Sequence, residues 1–144
     1  MQRHNLAAVS VLLMSVAGCS SEPIAAKPPT GTLLAGTAQV TMNGTTTIPI
    51  HEVECQSVAN GFTVIEIGTG PGITVLLGSD TQTPKSLTFN DFDGFSGGYW
   101  QNLEGSAQFG MVAQTYTFTG SAVGFGTKEP HTRTTNDFTV KVAC

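Results

Sequence analysis

Charge is scarce in this 144-residue chain: 11% of its residues are Asp, Glu, Lys or Arg, and only six are basic. From Cys19 onward, five Lys/Arg stand against ten Asp/Glu. Such a surface cannot neutralise a phosphate backbone, so nucleic acid is excluded as a partner. A hydrophobic fraction of 40% excludes a disordered acidic tail. Long apolar runs are also missing. The most apolar stretch, LAAVSVLLMSV at residues 6–16, is too short to cross about 30 Å of hydrocarbon as a helix. Apolar residues nowhere recur at the 3.6-residue period over a dozen positions, which excludes a helical bundle. Cysteine is rare, with three residues and no CxxC pair, so no zinc-ribbon spacing is present.

What is present begins with an export signal. Arg3 precedes the apolar stretch, and the small residues Ala17 and Gly18 lead to Cys19, as in a secretory leader. The run Val16-Ala17-Gly18-Cys19 resembles a bacterial lipobox. That resemblance implies a diacylglycerol thioether on Cys19, cleavage just before it, and acyl chains that hold the protein stably on a membrane. The expected location is therefore exported, on the outer face of the cell membrane within the envelope. Residues 20–33 (SSEPIAAKPPTGTL) hold three prolines and no periodicity, the composition of a tether. The expected organisation is a signal peptide over 1–18, the acylated Cys and flexible tether over 19–36, and a β domain over 37–144.

With Cys19 committed to lipid, Cys55 and Cys144 remain as an even pair in an oxidising compartment. A disulfide is expected, with free thiols or a metal pair as alternatives. The body alternates apolar and polar residues with period two. Asn43-Gly44 and Asn60-Gly61 are hairpin signals, and a change of phase at residues 49–52 suggests a bulge or bend. Further strands are expected in FTVIEI (62–67), ITVLL (73–77), SLTFN (86–90), YTFTGSAVG (116–124) and DFTVKVAC (137–144). Shorter pieces are expected near Tyr99-Trp100 and at 107–111. In the last strand Phe138, Val140, Val142 and Cys144 share a face, which predicts a buried disulfide pinning that strand near Cys55. Residues 76–85 allow one short helix, limited by Pro84. The expected fold is all-β: an antiparallel β-sandwich or partly open barrel of about eight short strands.

The lipobox, the tether, the Cys55…Cys144 pair and Asn60-Gly61 before a β run occur in that order. So do Gly105-Ser106-Ala107, the run from Tyr116 to Gly124, and an alternating last strand ending in Cys. Together they resemble the mycobacterial 19-kilodalton lipoprotein antigen family. The resemblance implies an acylated cell-envelope protein without enzymatic activity or cofactor. It also implies recognition by a host innate immune receptor through the lipid. This chain departs from better-known members in its aromatic stretch at 89–100 and its shorter tether, poorer in Ser and Thr.

Most candidate sites have plain structural explanations. His51, Glu52 and Glu54 alternate across a strand and do not converge on a metal. Asp91-x-Asp93-Gly94 opens like a calcium loop but lacks its later ligands, which leaves an acidic turn. His131 falls in the polar stretch 128–136, expected to be a surface loop. Ser106 and Ser121 are not in a G-x-S-x-G elbow, and residues 68–72 are Gly-rich but precede a strand. Neither a catalytic residue nor a metal site is expected. Phe89, Phe92, Phe95, Tyr99 and Trp100 are the candidates for ligand binding. They form either a satellite core beneath a loop or an apolar mouth for an envelope lipid or glycolipid. The expected function is a non-enzymatic surface or interaction role, with lipid carriage as the alternative.

Overall fold

The structure, a computed structural model, describes residue 27 and residues 29–144. The expected leader and the lipid acceptor Cys19 lie outside the described residues. Ten strands follow in order: β1 Thr37–Met42, β2 Thr45–Thr46, β3 Val53–Val58, β4 Phe62–Ile67 and β5 Gly72–Gly78. After them come β6 Thr83–Phe92, β7 Phe95–Trp100, β8 Ser106–Val112, β9 Thr115–Gly126 and β10 Glu129–Ala143. All pairings are antiparallel. The Asn-Gly turns have φ of 48° and 83° at Asn43-Gly44, and of 68° and 72° at Asn60-Gly61. Positive φ at both centres is the hairpin geometry whose twist matches that of the strands it joins.

The strands form one sheet in the order β2-β1-β10-β9-β7-β6-β5-β4-β3, with β8 branching onto β9. One edge of β9 is shared: β7 pairs with residues 123–126 and β8 with residues 115–121. The sheet is not closed into a barrel. Its two ends are instead connected by the chain itself. Ile50 exchanges two 2.8 Å hydrogen bonds with Ala38 of β1, and three residues later Val53 begins β3 at the far end of the strand order. One cluster contains Val40, Phe118 and Val140 as well as Ile65, Val75 and Leu87. Phe138 of β10 and Phe89 of β6, three strands apart in that order, bring their ring centroids within 5.5 Å, which requires the sheet to wrap over its own inner face. Apolar burial against that face is the main stabilising term.

Five expectations change. The strands number ten rather than eight, and they form one continuous sheet instead of the two sheets of a sandwich. No helix occurs among the described residues. Residues 76–85 instead complete β5, turn at 79–82 and begin β6. There Pro84 stands opposite Leu77 and Lys85 is the extra residue of a bulge; proline's missing N–H is tolerated at such a position. Most of 128–136 is not a loop. It is the exposed start of β10, paired to β9 across a second irregularity. Finally, the disulfide is not buried: Cys55 is half-buried and Cys144 exposed, because both lie at the sheet's margin rather than beneath it.

Candidate functional site

The feature that distinguishes this domain is the end where its chain enters. Leu33 N–H donates to Thr115 Oγ1 at 2.9 Å, and Thr115 is buried at the start of β9. Thr37 Oγ1 donates to Leu34 O at 2.6 Å, and Gly36 N–H to Ala143 O at 2.8 Å. Residues 33–36, read from the sequence as part of the tether, are thus bound to β9 and β10. Beside them Cys55 and Cys144, 89 residues apart in sequence, are joined by a disulfide with a Cα–Cα distance of 6.0 Å. This bond ties β3 to the end of β10, two strands with no ladder between them.

The opposite end is formed by the β1–β2, β6–β7 and β9–β10 hairpins. Their polar side chains bind one another. Thr127 Oγ1 donates to Asp91 Oδ1 at 2.6 Å, Asn43 Nδ2 to Asn136 Oδ1 at 3.0 Å, and Asp137 N–H to Asn43 Oδ1 at 3.0 Å. An open cleft of about 550 Å³ lies between them, lined by Met42, Asp93, Phe95 and Lys128 among others. Asp91 therefore fixes one hairpin against another, and the Asp91-x-Asp93-Gly94 run is a turn.

The five aromatic candidates do not line one mouth. Phe89, Phe95 and Tyr99 are buried, and Phe92 packs against them from a half-buried position. The Phe89 ring centroid lies 6.1 Å from Phe92, 5.8 Å from Phe95 and 5.5 Å from Phe138. These are the tilted and edge-on distances of core aromatics. Trp100 has the opposite parity in β7 and is 47% exposed on the outer face. Tyr99 Oη donates to Pro84 O at 3.2 Å, and burial pushes its hydroxyl pKa above the usual tyrosine value.

The remaining candidates are not brought together into one site. His51, Glu52 and Glu54 are exposed, and Glu54 bonds Gln56 and faces Glu66 across the β3–β4 ladder. His131 is exposed on β10. Ser106 and Ser121 face each other across β8 and β9, with their Oγ atoms 3.0 Å apart. No group of three His, Cys, Asp or Glu among the described residues is arranged to hold a metal ion. An ion pair between Arg133 and Glu104 was not anticipated. The two residues are 29 positions apart, and no local pattern brings them together.

Comparison with known proteins agrees with this architecture. Residues 31–144 match the family described as Mycobacterium 19 kDa lipoprotein antigen. The chain belongs to that family. A putative lipoprotein of Mycobacterium indicus pranii is 30% identical over the full length of both chains. Another, from Mycobacterium avium subsp. hominissuis, is 28% identical over all of this chain and 97% of its own. The probable lipoprotein LppE of Mycobacterium tuberculosis is 36% identical over 70 residues, 49% of this chain and 50% of LppE. The chain thus spans half of LppE's length. Membership of the 19 kDa lipoprotein antigen family implies a lipoprotein of the cell envelope, exported and anchored to the membrane.

Proposed function

We propose that this protein displays a disulfide-closed β domain on the outer face of the cell membrane, held by acyl chains on Cys19, in a surface or interaction role. The observation that carries this reading is the junction of Val16-Ala17-Gly18-Cys19, through a short tether, to a domain of the 19 kDa lipoprotein antigen family. A disulfide between strands lacking a common ladder suits an oxidising compartment. Recognition by a host innate immune receptor would then fall on the acylated N-terminus, the part carrying the lipid. Lipid carriage has less support. Four of the five rings offered for it contribute to the core, either buried or packed against it.

The test is intact-mass measurement of protein extracted from its own membranes. The wild type is expected to begin at Cys19 and to carry the added mass of two or three acyl chains. Cys19→Ala is expected to keep its leader and carry none. A wild-type protein of unmodified mass would overturn the reading.

A further inference from the structure

On the reading that Cys19 is acylated, we propose that the domain rests on the lipid surface with its tether-side end. The bilayer is then the partner of an apolar patch formed by Leu34, Met111 and Val112. These three side chains are 63%, 49% and 58% exposed and lie around the chain's entry point, with Met111 and Val112 on opposite faces of the β8–β9 tip because they are adjacent in β8. Leu33 is bonded to Thr115, Val112 is the ladder partner of Thr115, and Met111 that of Tyr116. The hairpin tip between β8 and β9, residues 112–115, contains no charged side chain, nor does the β3–β4 tip at 58–62, which adds the exposed Val58. The β5–β6 turn at the same end carries one exposed charge, Asp80, on the side of the β3–β4 tip, where Ser79 N–H donates to Gly61 O at 2.8 Å. The other end is more highly charged: its turns carry Asp91, Asp93, Lys128 and Glu129. Exposed Leu103 and Phe125 elsewhere stand beside Glu104 and opposite Arg133, so they do not form an uncharged surface.

The tether argues for the bilayer as occupant. Thirteen residues separate Cys19 from Leu33, a length of chain that cannot span more than roughly 50 Å even when fully extended. Acyl chains at Cys19 therefore keep the entry point at Leu33 within that distance of the headgroups. Whatever faces of the domain surround Leu33 meet the membrane repeatedly, and the exposed side chains nearest it, Leu34 and Val112, are apolar. Exposed apolar side chains so placed settle at the boundary between headgroups and acyl chains, where their burial is favourable.

The test uses the full acylated protein in vesicles of phosphatidylcholine and phosphatidylglycerol with brominated acyl chains, which quench tryptophan on contact. Trp100, the one native tryptophan, lies level with Ser121 on β9, about 20 Å along the strand from Thr115. It is expected to keep its emission. In a Trp100→Phe background, reporters Val112→Trp and Leu34→Trp are each expected to lose about half, as for rings lying about 5–10 Å into the interface. Adding Met111→Asp to the Leu34→Trp reporter is expected to reduce that loss while the protein still floats with the vesicles. Both reporters sit at exposed positions, so either alone suffices if the other impairs folding. Protein that floats with its reporters no more quenched than Trp100 overturns the proposal but leaves the anchor intact. Protein that fails to float overturns the anchor reading, and the proposal with it. A concentration-dependent blue shift of both reporters without lipid assigns the patch to a second copy of the chain and also overturns the proposal.

Discussion

The two ends of this domain hold the same wrapped sheet shut by different means. At the far end, the rings of Phe92, Phe95 and Phe138 each lie about 6 Å from the Phe89 centroid, and the hairpins above them are stitched by Asp91, Asn43 and Asn136. At the tether end, packing is thinner. Met111, Val112 and Val58 are exposed, and β3 is joined to β10 by a covalent bond rather than a ladder. A sheet that closes by hydrogen bonds all the way round needs neither device. One that stops short must fill the seam with large side chains or cross it with a disulfide, and this molecule does each at a different end.

Removing the filler should have the largest effect. Phe89→Ala deletes a ring with 1% exposure that touches three others. It is expected to lower stability by about 3–5 kcal/mol, read as a fall in the urea midpoint. Hydrogen exchange should quicken first in the β6–β7 hairpin. Removing the bond comes next. The variant with both Cys55→Ala and Cys144→Ala loses a constraint on 89 residues of unfolded chain and is expected to lose about 2–5 kcal/mol, with faster exchange concentrated in β3. If that variant keeps β3 protected while β6–β7 loosens, the two ends are not closed separately, and the contrast between them fails.

The sequence made much of this legible, and the exceptions have physical causes. Period-two alternation located every long strand, because one face of each is buried. Asn-Gly pairs located two turns, because few residues adopt positive φ at both centres. The Cys55–Cys144 pair followed from compartment and parity. Alternation does not encode how far a sheet curls, so the single wrapped sheet could not be told from a sandwich. The start of β10 escaped because neither face is buried there, so His131 and its neighbours show no period. The exposure of Cys144 escaped for another reason. Shared parity with Phe138, Val140 and Val142 says which way a side chain points, but not that the strand has already passed the edge of the core. Leu33 and Leu34 went unnoticed beside the prolines, although adjacent leucines in a polar tether were the available sign of a docked segment.

Between the two ends the β8–β9 branch depends on a glycine. A Cβ on Gly120 would collide with the backbone carbonyl of Ser106 and crowd Ala107, so β8 can lie on β9 only while residue 120 has no side chain. Gly120→Ala is expected to cost about 1–3 kcal/mol and to free β8 without opening either end. In exchange measurements the loss of protection should be confined to residues 106–112 and their partners at 115–121. Loss spreading to β3 or to the β6–β7 hairpin would mean that the branch is part of the closure.

The smallest effect should come from Tyr99, whose hydroxyl lies between the ends and bonds Pro84 O. Its pKa is raised from 10.0 by burial, because the phenolate is poorly solvated there. Above about pH 10 the unfolded chain gives up this proton while the folded chain keeps it. The unfolded state then binds fewer protons, so stability falls as pH rises from that point towards the folded-state pKa. Below it the contribution is fully present. Tyr99→Phe removes the titrating group and is expected to flatten the alkaline limb of the melting temperature, at the cost of one hydrogen bond at neutral pH, about 0.5–1.5 kcal/mol. If wild type and Tyr99→Phe lose stability in parallel above pH 10, the alkaline sensitivity arises elsewhere, and the ring is no more shielded than the exposed residues of the tether end.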